Sequence, residues 1–424
     1  MRLLILGAGG REHALAWRLA RDPGVTALVC APGNPGMAGL GAIVPLSIND
    51  APAVLDLVRR ERIDLTVIGP EAPLDAGVSD ALRAAGHLVI GPSRISAQLE
   101  CSKAFAKRFM AAHQIPTARF VVCDTLDSAL AAVSGRDFGF PVVIKADGLA
   151  AGKGVVVAQD LSEAEAAVRS CLETRAFGDA GARVVIEECL FGPEVSFFAL
   201  CDGRRAVALG SAQDHKRAYD GDLGPNTGGM GAFAPSPLLT PALERQIMQD
   251  IVERVIAASP GYIGFLYVSL MLTASGPRVI EFNVRFGDPE AQALLPAIEG
   301  DFAGALMAAA KGELDRATAL HISKDKFVGV VMASGGYPGK FETGKPIAGL
   351  DEANREPDTI VFQAGTKDAG GRLVTAGGRV LVVVGRAETY RDAIARAYAG
   401  VAKISYDGAE FRGDIGRRAM ENNQ

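Results

Sequence analysis

The chain has 424 residues, of which 49% are hydrophobic and 22% are charged, and its formal net charge is -5 at pH 7. Its length indicates about three domains, and its hydrophobic content is enough for several packed cores, which excludes a disordered protein. Its basic residues are scattered, which argues against a nucleic-acid-binding surface and favours small anionic ligands.

The chain starts with a short apolar stretch, residues 1–6, which Arg11 and Glu12 follow closely. This stretch is too short for a signal peptide, and no apolar run of about 18 residues follows it, so we expect no membrane segment. The six cysteines have neither Cys-x-x-Cys spacing nor the spacing of metal ligands. They therefore predict reduced thiols and a cytoplasmic protein.

The first hundred residues alternate short apolar runs with helix-like stretches. The apolar runs predict strands at 3–6, 27–30, 65–68 and 88–90, and the helix-like stretches lie at 12–21, 51–62 and 75–85. This alternation predicts a parallel sheet with helices on its faces. Each predicted strand ends in a turn rich in glycine or proline. Because ligands bind at the carboxyl ends of such strands, we expect a site at this edge.

The first of these turns, residues 7–13, is similar to a dinucleotide-binding fingerprint but departs from it. Glu12 stands at the third glycine position, and the second strand ends in Asn34 rather than in an acidic residue. NAD is therefore disfavoured. A glycine turn before a helix still suits the phosphate of a monophosphorylated substrate, and a tight turn without a ligand is the alternative.

Residues 142–154, VVIKADGLAAGKG, predict a strand followed by a glycine-rich loop. Lys145 lies in the strand and Lys153 in the loop, and three glycines in the loop leave backbone N-H groups open to an anion: Gly148, Gly152 and Gly154. The segment therefore predicts a polyphosphate site. The alternatives are a Lys145 that reaches solvent at a strand edge and a Lys153 in an ordinary surface turn.

Acidic residues surround the next predicted hinge. Glu187 and Glu188 end one strand and Glu194 begins the next. The backbone of such a hinge suits the edge of an adenine while a carboxylate accepts the ribose hydroxyls, and a solvated acidic turn is the alternative. Further along, residues 213–231 form a polar, glycine-dense excursion headed by QDHKR. Its charged residues favour a functional loop over a disordered one.

Residues 279–285 present Glu281, Asn283 and Arg285 at alternating positions of a predicted strand, which places them on one face. Carboxylate and amide oxygens suit magnesium, and Arg285 could bind a substrate carboxylate with two hydrogen bonds. Together with residues 142–154, this strand predicts metal-assisted phosphoryl transfer from a nucleotide. An edge strand with a salt bridge is the alternative.

The remaining patterns complete the chain. Helices are predicted at 94–115 with Ser102 as an N-cap, at 162–173 capped by Ser162, at 241–257, at 291–311 and at 387–402. Strands are predicted at 183–187, 327–333, 359–364 and 378–385. After about residue 325 the glycine-proline turns and mixed elements indicate a separate α/β domain.

These motifs together resemble the ATP-grasp carboxylate-amine ligases, and specifically the phosphoribosylamine-glycine ligase (glycinamide ribonucleotide synthetase) family of purine biosynthesis. The motifs that carry the resemblance are GAGGREHA (7–14), APGN (31–34), GPE (69–71), QLECSKAF (98–105), VIKADGLAAGKG (143–154), QDHKR (213–217), GPNTGGMG (224–231), EFNVRFGDPE (281–290) and DIG (414–416). The resemblance implies ATP-dependent joining of glycine to 5-phosphoribosylamine through glycyl phosphate, giving glycinamide ribonucleotide, ADP and phosphate.

The resemblance also implies an α/β multidomain fold. A parallel-sheet (pre-ATP-grasp) substrate domain would span 1–100, and a two-lobed ATP-grasp domain would follow. Its central part would span 101–118 and 190–325, its lid 119–189, and a small mixed α/β domain would span 326–424. The implied partners are small-molecule substrates only, with no nucleic acid and no membrane, and the implied state is a monomer or weak homodimer.

The resemblance assigns roles residue by residue. The ATP-binding residues would be Lys103, Lys145, Gly148, Gly152, Lys153, Gly154, Glu187, Glu188, Leu190 and Glu194. Glu281 and Asn283 would hold Mg²⁺ or Mn²⁺. The substrate-binding residues would be Gly9, Gly10, Asn34, Glu71, Asp214, Lys216, Asn226 and Arg285. Of all these, Arg285, Lys145 and Asp214 would take part in catalysis, Arg285 at the substrate carboxylate and Asp214 at the glycine ammonium.

Two features depart from the family pattern. The strand 265–272 carries no acidic residue, which leaves the number and ligation of metal ions open. Cys101 stands where we expect glycine, which predicts a narrower turn or a thiol exposed near the nucleotide.

Three alternatives to this activity remain. They are another ATP-grasp ligase or purine-pathway carboxylase, such as one acting on an imidazole ribonucleotide, a nucleotide-binding regulatory protein without catalysis, and a nicotinamide oxidoreductase. The loop 213–231 disfavours another ligase or a carboxylase, and Glu12 disfavours a nicotinamide oxidoreductase. A regulatory protein without catalysis is disfavoured by the presence of Lys145, Glu281, Asn283 and Arg285.

Overall fold

The computed structural model describes residues 1–135, 137–148, 154–174 and 182–421. The first part is a parallel five-stranded sheet of order β3-β2-β1-β4-β5. Its elements are β1 (Arg2–Gly7), α1 (Gly10–Leu19), β2 (Ala27–Pro32), β3 (Ala42–Ile43), α2 (Ala51–Arg60), β4 (Leu65–Ile68), α3 (Ala72–Asp75), α4 (Val78–Ala84), β5 (Val89–Ile90) and α5 (Arg94–Cys101). Leu3 and Ile5 pack with α1, while Leu4 and Leu6 pack with α2 on the other face, as strand alternation requires.

The second part is an antiparallel four-stranded sheet of order β6-β9-β7-β8. Its elements follow α6 (Lys103–Ala112) and are β6 (Phe120–Cys123), α7 (Leu126–Ser134), β7 (Val142–Ala146), β8 (Val155–Ala158), α8 (Leu161–Leu172) and β9 (Val184–Glu188). Val142, Ile144 and Ala146 pack against residues of α7 and α8 in one core. Because side chains alternate along a strand, Lys145 points away from this core.

The third part is an antiparallel nine-stranded sheet whose main path runs β16-β15-β10-β11-β14-β19-β23-β20, with β24 paired to β19. The elements of this region are β10 (Glu194–Asp202), β11 (Ala206–Asp214), β12 (Arg217–Tyr219), β13 (Leu223–Asn226), β14 (Gly231–Ala234), α9 (Pro241–Ile247), α10 (Glu253–Ala258), β15 (Ile263–Thr273), β16 (Gly276–Asn283), α11 (Glu290–Leu294), β17 (Ile298–Glu299), α12 (Phe302–Lys311), β18 (His321–Ile322), β19 (Lys326–Ser334), α13 (Leu350–Asn354), β20 (Thr359–Gln363), β21 (Thr366–Asp368), β22 (Leu373–Thr375), β23 (Arg379–Ala387), α14 (Tyr390–Val401), β24 (Ala409–Glu410) and α15 (Arg417–Glu421). The pairs β12-β13, β17-β18 and β21-β22 form separate two-stranded sheets.

The predicted α/β multidomain architecture, with a parallel sheet first, is confirmed. β14 and β19 pair directly, so the predicted boundary between 325 and 326 falls inside one hydrogen-bonded sheet. Among the described helices, none is both long and apolar enough to cross a membrane.

Three helix predictions were wrong in detail. The stretch 75–85 is interrupted at Gly77, which adopts a φ of 80° before α4 begins. The stretch 291–311 is interrupted between α11 and α12, where Gly300 has a φ of 101°. The N-cap of α8 is Asp160, whose side chain accepts a hydrogen bond from Glu163 N, and not Ser162. Ser102 does cap α6 as predicted, and its Oγ accepts from Phe105 N at 3.1 Å.

Candidate active site

A cavity of about 280 Å³ lies between α5, α6, the four-stranded sheet and β16. Several residues predicted to bind ATP, the metal ion or a substrate line it: Glu71, Lys103, Lys145, Gly148, Gly154, Glu187, Glu281, Asn283 and Arg285. Glu100 and Lys107 line it as well. Gly152 and Lys153 lie outside the described residues. The fold therefore brings segments that are far apart in sequence around one polar cavity.

Glu187 lies between two buried lysines in this cavity. Its Oε2 is 2.8 Å from Lys107 Nζ and accepts a hydrogen bond from Lys145 Nζ at 3.2 Å. Lys145 Nζ also donates to the Ile280 carbonyl at 3.3 Å. Burial lowers the pKa of Lys107 to about 8, although the Glu187 carboxylate acts in the opposite direction. Two ammonium groups against one carboxylate leave a local positive charge that suits an anionic ligand.

The sequence reading did not assign Lys107 to the site. It lies four residues after Lys103 on α6, and residues with this spacing share one face of a helix. This spacing was the available signal. Lys107 Nζ also donates to Thr117 Oγ1 at 2.7 Å, and Thr117 Oγ1 donates to the Val279 carbonyl at 2.7 Å. Through these contacts Lys107 connects the four-stranded sheet to β16.

The start of α6 holds the start of the glycine-rich loop. Asp147 Oδ1 accepts hydrogen bonds from Ser102 Oγ at 2.9 Å and from Ala104 N at 3.1 Å, so a carboxylate occupies the helix N-terminus. Lys103 Nζ donates to the Gly148 carbonyl at 3.0 Å. The first residue of the loop is therefore fixed beside Lys103.

Glu281 and Asn283 lie near the end of β16. A bulge interrupts the pairing of β15 with β16, since Ser269 pairs with Glu281 and Leu270 with Val279. Burial raises the pKa of Glu281, but the positive charges of Lys216, Lys103 and Lys145 lower it by more, so the carboxylate is ionised. Within the described ranges, neither side chain has a hydrogen-bond partner, and their oxygens remain available.

This pair fits a divalent cation. Magnesium is commonly held by one or two carboxylates together with substrate phosphates and water. The described residues contain no cluster of three or more His, Cys, Asp or Glu side chains that could hold a metal ion. Glu281 and Asn283 would therefore contribute two ligands, and phosphate oxygens and water would complete the shell.

Arg285 follows β16 and is held by two carboxylates. Its Nη2 lies 2.6 Å from Glu100 Oε1, and its Nε lies 3.4 Å from Glu71 Oε2. Glu100 also accepts from Val284 N at 2.8 Å. Burial lowers the pKa of Arg285, but Glu100 and Glu71 raise it by more, so the guanidinium stays charged. Sequence reasoning missed Glu100, which precedes Cys101 in the QLECSKAF motif.

The N-terminal turns are occupied by structural contacts. Glu12 accepts from Gly9 N at 2.6 Å and from Arg11 Nε at 2.6 Å, which places a carboxylate at the N-terminus of α1. Asn34 Nδ2 donates to the Ala8 and Gln363 carbonyls at 2.8 and 2.9 Å. These bonds connect the first sheet with β20. Binding of phosphoribosylamine by Gly9, Gly10 and Asn34 stays a prediction.

The acidic hinge residues have basic partners. Glu188 Oε2 accepts from Arg119 Nε at 2.6 Å. Glu194 accepts from Lys216 Nζ at 2.5 Å. Burial would lower the pKa of Lys216, but Glu194 and Asp214 raise it well above its ordinary value. The expected adenosine contacts of Glu188, Leu190 and Glu194 therefore stay a prediction, and nucleotide binding there would use carboxylates that already carry ion pairs.

The loop 213–231 begins at the end of β11, where Asp214 lies. Burial raises the pKa of Asp214 to about 7, while Lys216 acts to lower it. Asn226 ends β13 and pairs with Arg217 across the hairpin. His215 is buried, its ring nitrogens have no partner among the described residues, and its pKa is lowered to about 3 by burial. A neutral His215 agrees with the structural role that a lone histidine usually has.

The expectation of an exposed thiol at Cys101 was wrong. Cys101 is the last residue of α5 and is 8% exposed. Burial raises its pKa to about 12, with smaller effects of the same direction from Asp75 and Glu100. The thiol is therefore protonated and unreactive beside the cavity.

An antiparallel lid sheet and a central sheet that enclose buried lysines and a carboxylate-amide pair define the ATP-grasp class of ligases. The chain belongs to the phosphoribosylglycinamide synthetase family. Its sequence matches the N domain of that family over residues 1–100, the ATP-grasp (A) domain over 101–291 and the C domain over 327–418. Membership of this class implies the use of ATP and a divalent metal ion.

Individual proteins agree with this assignment. The phosphoribosylamine-glycine ligase of Xylella fastidiosa is 48% identical over 99% of this chain and 97% of its own length. The crystal structure of the phosphoribosylamine-glycine ligase from Thermotoga maritima is similar with a TM-score of 0.85 and 33% identity, covering 98% of this chain and 100% of that one. The N5-carboxyaminoimidazole ribonucleotide synthetase from Thermotoga maritima has a TM-score of 0.64 and 17% identity over 96% and 99% of the two chains, and shares the fold alone.

Proposed function

We propose that this enzyme joins glycine to 5-phosphoribosylamine in purine biosynthesis, with ATP converted to ADP and phosphate. The observation that carries the proposal is the cavity in which Lys145, Glu281, Asn283 and Arg285 meet, in a chain of the phosphoribosylglycinamide synthetase family. The lack of a membrane-spanning helix among the described residues agrees with a cytoplasmic enzyme.

On the nucleotide side, Lys103 and Lys145 neutralise ATP phosphates, and Gly148 and Gly154 belong to the lid loop that closes over them. Gly152 and Lys153, which lie outside the described residues, are assigned to ATP binding from the sequence alone. Glu188, Leu190 and Glu194 hold adenosine, and Glu187 belongs to the ATP site through its pairs with Lys107 and Lys145. Glu281 and Asn283 hold Mg²⁺, with Mn²⁺ as the alternative, and the metal ion supplies charge neutralisation at the phosphates.

On the glycine side, Arg285 binds the carboxylate with its planar fork while Asp214 faces the ammonium group. A carboxylate oxygen attacks the γ-phosphorus, the bond to the β,γ-bridging oxygen breaks, and ADP leaves. The resulting glycyl phosphate keeps its contact with Arg285. An ammonium group beside Asp214 favours the ionised carboxylate, so glycine binding lowers the pKa of Asp214.

In the second step, the amine nitrogen of phosphoribosylamine attacks the glycyl carbonyl carbon. The carbon-oxygen bond to phosphate breaks, phosphate leaves, and the nitrogen loses one proton. The protein contributes positioning and charge neutralisation rather than a covalent nucleophile. We assign phosphoribosylamine to Gly9, Gly10, Asn34 and Glu71, with Lys216 and Asn226 at the glycine side.

The predicted division into 1–100, 101–118 with 190–325, 119–189 and 326–424 is part of this proposal. The first region holds phosphoribosylamine, the second glycine and the metal ion, and the third covers ATP. Small molecules are its only proposed partners, and the proposed state is a monomer or weak homodimer.

The test is ADP release with freshly generated phosphoribosylamine, glycine, ATP and Mg²⁺, with each component omitted in turn. ADP release that requires both glycine and phosphoribosylamine is the expected result. ADP release that requires bicarbonate and an imidazole ribonucleotide instead would contradict the proposed substrates and favour a carboxylase. Repeating the assay with Mn²⁺ in place of Mg²⁺ measures the metal preference.

A further inference from the structure

The C-terminal segment 412–418 contacts the main chain on both sides of His215 and Lys216. Arg412 Nη1 donates to the Arg217 carbonyl at 3.0 Å. Arg418 Nη2 donates to the Asp214 carbonyl at 2.5 Å. This segment contains the DIG motif, to which the proposed reaction assigns no role. Two guanidinium groups from the far end of the sequence therefore hold the two ends of the short stretch that carries Lys216.

The contacts of Arg412 direct its Nη1 toward the residues 214–217. Its side chain is 1% exposed, and its Nε and Nη2 each donate to a separate oxygen of Asp414 at 2.7 Å. Such a two-bond pair fixes the plane of the guanidinium. The remaining nitrogen, Nη1, donates to Asp222 Oδ1 at 2.8 Å as well as to the Arg217 carbonyl. A lysine could not make this set of contacts.

Main-chain groups reinforce the contact in both directions. Gly413 N donates to Asp220 Oδ1 at 2.8 Å, and Gly221 N donates to Asp414 Oδ2 at 2.9 Å. The turn 220–222 joins β12 to β13, so the segment holds the tip of this hairpin as well as its base. Reciprocal bonds of this kind give the two segments one relative position rather than a loose contact.

The segment itself is anchored to the C-terminal helix α14. Tyr398 OH donates to the Arg412 carbonyl at 2.7 Å and accepts from Ile415 N at 3.0 Å. Ile415 packs against Gly231 at the end of the loop. The contact is so close that a Cβ added to Gly231 would lie 2.7 Å from the Ile415 side chain. The segment therefore contacts the loop at Asp214, at the hairpin and at Gly231.

We propose that Arg412 is a positioning residue for glycine recognition, because it holds the loop that carries Asp214 and Lys216 against the rigid C-terminal segment. The inference depends on the proposed function for the identity of the substrate. Arg412 contacts no substrate in this proposal. It acts through the main chain of the loop, and the C-terminal segment becomes part of the glycine side of the active site.

The test compares Arg412→Ala with Arg396→Ala in the full-length enzyme. Arg396 also belongs to the C-terminal region, where its Nη1 donates to Asp358 Oδ2 at 2.7 Å on an exposed surface. Arg412→Ala should lower kcat/KM for glycine about 100-fold, because small displacements of positioning groups are costly. Its Kd for MgADP, measured by calorimetry, should stay within about twofold of the wild-type value, since the side chain of Arg412 bonds to Arg217, Asp222 and Asp414, which do not line the nucleotide cavity. Arg396→Ala should leave both quantities unchanged.

Two results with a folded Arg412→Ala enzyme would overturn the inference. One is an Arg412→Ala enzyme with the same kcat/KM for glycine as Arg396→Ala. The other is a parallel loss of MgADP affinity and melting temperature, which would give Arg412 a general structural role.

Asp414→Asn is the milder second variant, since it keeps the shape of the partner but weakens the pair with Arg412. We expect kcat/KM for glycine to fall about tenfold. An unchanged Asp414→Asn beside an unfolded Arg412→Ala also counts against the inference. A wild-type enzyme without glycine-dependent ADP release would instead contradict the proposed function.

Discussion

The nucleotide side and the glycine side of this enzyme are built in different ways. Lys103, Lys107, Lys145, Glu281 and Asn283 all belong to helices or strands whose periodicity turns them toward one cavity. On the glycine side, Asp214 ends a strand, and the loop that follows it is held by residues about 200 positions further along the chain, through contacts between Arg418 and Asp214 and between Arg412 and Arg217. Regular elements thus position the groups proposed to bind ATP, while long-range contacts position the groups proposed to recognise glycine.

The largest effect should come from Glu281→Ala. This change removes the ionised carboxylate of the proposed metal pair, and turnover should fall roughly 1,000-fold or more while the melting temperature stays close to that of the wild type. The assay is ADP release at saturating substrates. Glu299→Ala removes an exposed carboxylate and serves as the control. An unfolded Glu281→Ala would indicate a structural role instead.

The next largest effect should come from Arg285→Lys. The variant keeps a positive charge near Glu100 and Glu71 but loses the planar fork, so kcat/KM for glycine should fall about 100-fold. The Kd for MgADP should be unchanged. A selective loss of nucleotide affinity would place Arg285 on the nucleotide side and remove the distinction between the two regions.

A smaller effect should follow from Lys107→Met, which keeps the shape of the buried side chain. Without Lys107, Glu187 pairs with Lys145 alone and draws it away from the phosphates, so KM for ATP should rise about tenfold. Glycine kinetics should change less. Equal changes for ATP and glycine would contradict the role of Lys107 on the nucleotide side.

The same lysine predicts a pH dependence. Burial lowers the pKa of Lys107 to about 8, so the folded protein loses this proton at a lower pH than the unfolded chain does. The positive charge is present below this pH, and KM for ATP should increase as the pH rises through about 8. Folding stability should increase as the pH rises through the same range, because the cost of burying the charge disappears as Lys107 loses its proton. In Lys107→Met both dependences should be reduced, and an unaltered KM profile would assign the titration to another group.

The smallest effect on the use of ATP should come from Asn34→Ala. Its amide donates to the Ala8 and Gln363 carbonyls, so the variant leaves buried acceptors unpaired. The free energy of unfolding, measured with denaturant, should fall by about 1–3 kcal/mol, with little change in KM for ATP. KM for phosphoribosylamine should rise as well, since Asn34 is proposed to bind it. An unchanged KM for phosphoribosylamine beside a loss of stability would leave Asn34 a structural role only.

Much of the architecture was predictable from local patterns. The strand at 65–68 has the predicted bounds, and Ser102 caps α6 as its position indicated. The glycine-rich loop in residues 142–154 predicted a phosphate site, and the alternation of Glu281 and Asn283 predicted a metal site, before any fold was known. The breaks at Gly77 and Gly300 were missed, because the sequence does not indicate whether a glycine within a helical pattern adopts a positive φ.

The pairing of side chains was not predictable. Glu187 was predicted among the ATP-binding residues, but its position between Lys107 and Lys145 was not predicted. Glu12 was seen only as a departure from a dinucleotide motif, but it caps Gly9 N and pairs with Arg11. Such partners come from separate segments or depend on local packing, and the sequence alone does not give their distances.

The sequence by itself determined the class of chemistry, because glycine spacing, strand periodicity and residue type are local properties, and they predict a phosphate loop and a metal-binding strand. Only the tertiary structure decided which charges neutralise one another and which segments hold the loop 213–231. Ion pairs such as Arg285 with Glu100, and contacts such as Arg412 with Arg217, join residues through space after folding. Their energies depend on burial and distance, which arise only when the sheets have packed.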